Sequence, residues 1–182
     1  MGKLLHAILV GLVGAAIVHI VVLLLVPQFS ERDAWSNLAM KADFYTMTRL
    51  DAQPGSPTPI KSIDPSFYAA ACRFDLADGM VQVTAPGPVP FWSVSVYDRN
   101  GHNIYSFNDR SATKGQMDAV VLTPAQMIEV RKALPDGFEG SIFVEAPIDE
   151  GIVVLRAFVP DESWRPTVAK FLDQSSCELQ QF

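Results

Sequence analysis

Three side chains that could bind a ligand or transfer a proton lie around one short turn of this chain. Tyr97, Arg99 and His102 flank the dipeptide Asn100-Gly101, which is a strong signal for a β-hairpin with a two-residue type I′ turn. A phenol, a guanidinium and an imidazole at one end of a sheet could bind a polar ligand or transfer a proton. The turn is therefore the first candidate for a functional site.

A type I′ turn fixes which residues of the two strands face each other. With Arg99 opposite His102, the predicted pairs are Tyr97 with Ile104, Val96 with Tyr105, Ser95 with Ser106, Val94 with Phe107, and Ser93 with Asn108. Alternate side chains lie on opposite faces of a strand, so Trp92, Val94, Val96, Tyr105 and Phe107 are predicted to share the buried face. The opposite face is polar and is the candidate binding face: Ser93, Ser95, Tyr97, Arg99, His102, Ser106, Asn108 and Arg110. The solvated side of a half-buried hairpin has the same composition, and this alternative stays open.

Motifs of established chemistry are absent from the sequence. It has no G-x-S-x-G elbow, H-E-x-x-H pair, Walker loop or C-x-x-C, so hydrolase, zincin, nucleotide-binding and thioredoxin functions lose their usual support. Since His102 is the single histidine beyond the apolar N-terminal segment, neither a metal site nor a cofactor is expected. A net charge of −6 with scattered basic residues argues against nucleic acid as a partner.

The N-terminal segment predicts a membrane anchor. No residue from Ala7 to Val26 is charged, and at about 1.5 Å per residue this stretch spans roughly 30 Å, the thickness of the hydrocarbon core. A signal peptide would have a shorter apolar region and a small-x-small cleavage site. We therefore predict an uncleaved transmembrane anchor over residues 1–29, and the lipid bilayer as a partner.

Orientation and contacts of the anchor follow from a few residues. Lys3 and the α-amino group precede the helix, which favours a cytoplasmic N-terminus and a periplasmic domain at a bacterial inner membrane. Gly11, Ala15 and His19 share one helix face in a small-xxx-small arrangement. This face is either a contact site for another helix or an incidental grouping around a tolerated neutral histidine.

The elements beyond the anchor predict a mainly β domain. Ser30 has the spacing of a helix N-cap, so residues 30–66 are predicted to hold a short juxtamembrane helix and then a proline-rich connector. Residues 67–182 contain seven β-type runs separated by turn signals, and two helices, one opening at Thr123-Pro124 and one over about 161–175. An antiparallel sheet or a β-sandwich with two short helices, behind one transmembrane helix, is the predicted fold.

Two cysteines leave two interpretations open. An oxidising periplasm would permit a disulfide between Cys72 and Cys177. Alternatively, Cys72 is an ordinary buried thiol in the apolar run 69–72, and Cys177 lies near a chain end that frays.

Two stretches carry a family resemblance. Asp64 to Leu76 and Pro90 to Gly101 resemble the D-L-x-x-G-x-V and F-W-S-x-x-x-Y-D-x-x-G strands of bacterial domains of unknown function 1254 and 1214. The resemblance covers roughly residues 60–160 and implies a β-rich fold in the cell envelope. It implies no activity that can be transferred to particular residues.

The sequence is compatible with three hypotheses for the function. The first is a non-enzymatic interaction or scaffold module that docks another membrane or periplasmic protein. The second is a periplasmic module that binds a glycan or small molecule on a sheet face. The third is an enzyme with an unfamiliar site near Tyr97, Arg99 and His102, and it is the least favoured.

Overall fold

The structure, a computed structural model, describes residues 2–50, 64, 66–112 and 116–181. For residues 26–34 it describes the backbone alone. Most of the predicted proline-rich connector, at 53–63 and 65, lies outside the described residues. Helix α1 runs without interruption from Gly2 to Ala39. Its first part, Gly2–Leu25, is long and apolar enough to span a membrane, and no residue of its most apolar stretch is buried.

The prediction of a separate juxtamembrane helix capped by Ser30 is wrong. An N-cap residue has an extended backbone and satisfies free N–H groups at a helix start. Because α1 continues through this position, there is no helix start to cap. The apolar span and the residues that meet the domain therefore belong to one helix.

Nine strands of the described residues form two sheets that pack face to face, which confirms the β-sandwich among the predicted architectures. The first sheet has the order β1-β2-β8-β4-β5 and is antiparallel throughout. The second has the order β7-β6-β3-β9, in which only β6 and β7 are parallel. The strands are β1 Thr48–Arg49, β2 Phe67–Asp75, β3 Met80–Ala85, β4 Trp92–Asp98, β5 Asn103–Asn108, β6 Met117–Leu122, β7 Ile142–Glu145, β8 Glu150–Phe158 and β9 Ser176–Gln180.

The core lies between the inner faces of the two sheets. Trp92, Phe74 and Leu155 are at most 1% exposed and belong to one buried cluster with residues of β3 and β6. A disulfide joins Cys72 on β2 to Cys177 on β9. It links one sheet to the other and fixes the C-terminal edge strand.

Two short helices cover parts of the sandwich at the positions predicted. Helix α2, Pro124–Lys132, begins with a capping box in which Thr123 and Gln126 bond each other's backbone N–H. Helix α3, Arg165–Asp173, follows a single 3₁₀ turn and buries Val168, Phe171 and Leu172.

The end of α1 packs on the outer face of the first sheet. Leu38 is 1% exposed and clusters with Ala71 and Ile152 on this face, with Trp35 beside them. At about 25 cal/mol per Å² of apolar area, burying one leucine side chain contributes about 2 kcal/mol. The helix that carries the apolar span is thus attached directly to the sheet.

A buried arginine reinforces this attachment. The guanidinium carbon of Arg73 lies 4.4 Å from the ring centroid of Phe44 and 5.2 Å from that of Trp35. Its Nη2 donates to the carbonyl of Ala42 at 2.9 Å. Cation–π contacts of desolvated groups contribute about 2 kcal/mol. The charge of Arg73 therefore holds the residues after α1 against the sheet.

Candidate functional site

The β4–β5 hairpin has the predicted register over most of its length. Ser93 pairs with Asn108, Val94 with Phe107, Ser95 with Ser106, and Val96 with Tyr105. The register then shifts between Val96 and Tyr97, and Tyr97 pairs with Asn103 instead of Ile104. Four of the five predicted pairs are confirmed, and the pair closest to the turn is wrong.

The shift follows from the turn, which is not the predicted type I′. The backbone N–H of Gly101 donates to the carbonyl of Asp98 at 3.0 Å, and only Gly101, with φ of +86°, is left-handed in the three-residue loop Arg99–Gly101. The carboxylate of Asp98 also accepts the N–H groups of Asn100 and His102 at 2.9 and 2.8 Å. These bonds start the turn at Asp98, and the longer loop requires a bulge in β5.

The bulge changes which side chain of β5 joins the polar face. Ile104 packs against the core cluster, and Asn103 takes its place opposite Tyr97. A β-bulge commonly redirects a side chain in this way next to a functional site. The result is a more polar face than the sequence predicted.

Five interacting side chains lie on the outer face of β4, β5 and β8, and we call them the Tyr97 cluster: Ser95, Tyr97, Asn103, Ser106 and Arg156. Tyr97 interacts with Ser95, Arg156 and Asn103, and these interactions act on its pKa. Ser106 donates to Ser95 at 3.0 Å and accepts from the Asn103 amide at 2.9 Å. Ser95 is only 7% exposed, although the sequence places it on a polar face.

The surroundings of Tyr97 favour its ionised form. Burial raises the pKa of Tyr97, but the hydrogen bonds from Ser95, Arg156 and Asn103, together with the charge of Arg156, outweigh burial and hold the pKa below its ordinary value. The charge of Arg156 therefore stabilises negative charge on the Tyr97 oxygen.

Arg99 and His102, the other two residues of the predicted site, have partners of their own. Arg99 forms an ion pair with Glu150 at 2.6 Å and lies 5.5 Å from the Trp35 ring. Nδ1 of His102 bonds the carboxylate of Asp98 at 2.8 Å. Burial raises the pKa of Asp98, but the bonds from His102 and from backbone N–H groups outweigh it and lower the pKa.

The remaining members of the predicted face lie toward the far end of the hairpin. Ser93 faces Arg156 on β8 and Asn108 on β5. Asn108 accepts the backbone N–H of Arg110 at 3.1 Å and caps a 3₁₀ turn. Arg110 is exposed. The predicted face thus divides into the Tyr97 cluster, a second polar row, and the turn.

A model of one protein family, described as "Protein of unknown function (DUF1254)", matches residues 43–178. The chain belongs to the DUF1254 family. Two solved structures share its fold at low identity: the VPA0106 protein from Vibrio parahaemolyticus, at 13% identity with a TM-score of 0.56, and an uncharacterised protein from Burkholderia cenocepacia, at 17% with a TM-score of 0.51. Among curated proteins, none matches the chain.

The DUF1254 chain is much shorter than both structural relatives. In each comparison 84% of this chain is covered, but only 35% of the Vibrio protein and 41% of the Burkholderia protein. In those proteins the shared fold is therefore one part of a longer polypeptide.

Sequence reasoning missed two members of the Tyr97 cluster in this DUF1254 domain. Asn103 was missed because the turn type was wrong. Arg156 comes from β8, and its pairing with β4 joins segments far apart in sequence. A signal was present, since Arg156 is the single charged residue within the apolar run Ile152–Val159.

The face formed by Gly11, Ala15 and His19 lies on the exposed part of α1, and its role as a helix contact stays a prediction.

Removing the charge of Arg156 is expected to raise the pKa of Tyr97. Arg156→Gln deletes the cationic donor that helps to lower this pKa, so ionisation of Tyr97 should move to higher pH. The ¹³Cζ shift of labelled tyrosine, followed by NMR against pH and assigned with Tyr97→Phe, measures the change. Arg110→Gln should leave the titration unaltered. An unchanged pKa in Arg156→Gln would mean that the two side chains do not interact in solution.

Proposed function

We propose that this DUF1254 protein is a single-pass protein of the bacterial inner membrane whose periplasmic domain is a non-enzymatic interaction module. It docks another membrane or periplasmic protein. The observation that carries the proposal is the continuity of α1, which contains both the apolar span and the residues Trp35 and Leu38 that pack on the sheet. A domain attached in this way is held near the bilayer, where a membrane partner is within reach.

Two further observations support the proposed location. Disulfides persist in oxidising compartments such as the periplasm, and Cys72 and Cys177 are joined. Lys3 precedes the uncharged stretch Ala7–Val26, which the positive-inside rule associates with a cytoplasmic N-terminus. Within the membrane, Gly11 and Ala15 offer a small-residue face on which a partner helix could pack closely.

Crosslinking in native membranes tests the docking function. The full chain is expected to crosslink reproducibly to one defined envelope protein, identified by mass spectrometry. The matched control is Val94→Asp, which keeps the anchor but places a charge in the core of the domain, and the crosslink should be lost in this variant. Recovery of no defined protein, or equal capture by Val94→Asp, would contradict docking through the folded domain.

A second candidate function is binding of a small ligand, and one specific observation favours it. The Tyr97 cluster gathers hydroxyl, amide and guanidinium groups around one nearly buried serine. Binding sites for polar ligands use a small number of such groups in a fixed arrangement. The ordered network gives the outer face of β4, β5 and β8 the composition of such a site.

A further inference from the structure

The outer face beside the Tyr97 cluster combines three kinds of group around Arg156. Along β8, the next outward residue is Phe158, whose ring centroid lies 5.3 Å from that of Phe67 on β2. Across the sheet, Arg156 faces Ser93 on β4, and Ser93 faces Asn108 on β5. Arg156 thus lies between an aromatic pair, a row of hydroxyl and amide groups, and the Tyr97 cluster.

Among the described residues, no carboxylate neutralises the charge of Arg156. Arg156 and Arg110 make no ion pair with any residue in the described ranges. By contrast, four other arginines of the described chain are paired with acidic residues: Arg49, Arg99, Arg131 and Arg165. An exposed arginine that has no acidic partner among the described residues has its guanidinium donors available for an anionic ligand.

The neighbours of Arg156 specify the rest of the ligand. An arginine fork matches a carboxylate in geometry and can bind it through two parallel hydrogen bonds. The hydroxyl of Ser93 and the amide of Asn108 suit ligand hydroxyl groups. The half-buried rings of Phe67 and Phe158 offer apolar surface to one face of a ring. An acid, hydroxyl groups and an apolar ring face occur together in a carboxylated sugar.

We infer that the outer-face patch formed by Ser93, Asn108, Arg156 and Phe158 binds a carboxylated sugar, with its carboxylate on Arg156. This inference rests on the ligand-binding role proposed above and is independent of the protein-docking role. Arg156 lies beside the Tyr97 cluster, and its charge acts on Tyr97.

Calorimetric titration of the full chain in lipid nanodiscs tests the inference, with D-glucuronate as the probe. Saturable binding of glucuronate is expected, with a Kd at least about tenfold weaker in Arg156→Gln, which corresponds to about 1.4 kcal/mol. The control is Lys170→Gln, which removes a cation from a separate groove between α3 and the Pro86–Pro88 loop and should leave the Kd unchanged. Equal thermal unfolding of the two variants verifies that both are folded.

The other probes separate failure of the inference from failure of the ligand-binding role. No saturable heat with glucuronate, glucose or inorganic phosphate would overturn both. If glucose binds as tightly as glucuronate, the claim that the ligand is acidic is wrong, while the ligand-binding role stands. If inorganic phosphate binds as tightly as glucuronate, the claim that the patch recognises a sugar is wrong. Loss of glucuronate binding in Lys170→Gln but not in Arg156→Gln would place the ligand in the other groove and overturn the assigned site.

Discussion

Replacing Val94 by aspartate is expected to abolish the folded state of the domain. Val94 is 1% exposed and faces Phe107 and Leu155 across the two neighbouring strands, inside the sandwich. A carboxylate at this position loses its water and gains no cationic partner, and an unpaired charge in an apolar interior costs on the order of 10 kcal/mol or more. Since whole domains are stable by about 5–15 kcal/mol, the near-UV circular dichroism and the cooperative unfolding transition should both be lost.

The matched control is the neighbouring position on the other face of the same strand. Ser93 is half-buried and faces Arg156, so Ser93→Asp should remain folded and alter the free energy of unfolding by about 1 kcal/mol or less. Ser95 is a poor control because it is only 7% exposed. If Ser93→Asp unfolds the domain while Val94→Asp does not, the assignment of inner and outer faces is wrong.

Removing the disulfide is expected to have the second large effect. Cys72 and Cys177 are separated by 105 residues, and in the chain-entropy model closing a loop of that length stabilises the fold by about 4 to 5 kcal/mol. Cys177→Ala should lower the free energy of unfolding by this amount and the Tm by roughly 8 to 20 °C. Thermal unfolding of the full chain in mild detergent measures both.

Reduction of the wild-type protein provides the control for this variant. Dithiothreitol should lower the Tm of the wild type nearly to that of Cys177→Ala, and it should leave the variant unaffected. Equal stability of Cys177→Ala and the oxidised wild type would mean that the link between β2 and β9 contributes nothing to the fold.

The fold was largely predictable because most of its elements have local signals. All seven β-type runs became strands, and Thr123-Pro124 starts a helix as its capping pattern indicates. Two strands were missed. β1 has only two residues, Thr48–Arg49, which is too short for any alternation. β9, Ser176–Gln180, is a polar edge strand, held by pairing with β3 and by the disulfide rather than by its own propensity.

The candidate site was predictable only within the hairpin. Ser95 and Ser106 were placed opposite each other because the turn lies a few residues away and the register is short-range. Arg156 depends on the pairing of β4 with β8, and no local pattern specifies which distant strand lies beside β4. The displacement of Ile104 by Asn103 depends on the hydrogen bonds of Asp98 inside the turn, which compete with the turn preference of Asn100-Gly101.

Protease treatment of intact spheroplasts tests most directly whether α1 is retained as an anchor that holds the domain outside the cytoplasm. The full chain carries an epitope tag at its N-terminus and is expressed in a bacterial host. The expected result is digestion of the domain without lysis, with a small tagged fragment containing the apolar span Gly2–Leu25 left in the membrane pellet. Protection of the domain until the spheroplasts are lysed, or loss of the tag from the mature chain, would contradict a periplasmic domain on an uncleaved anchor.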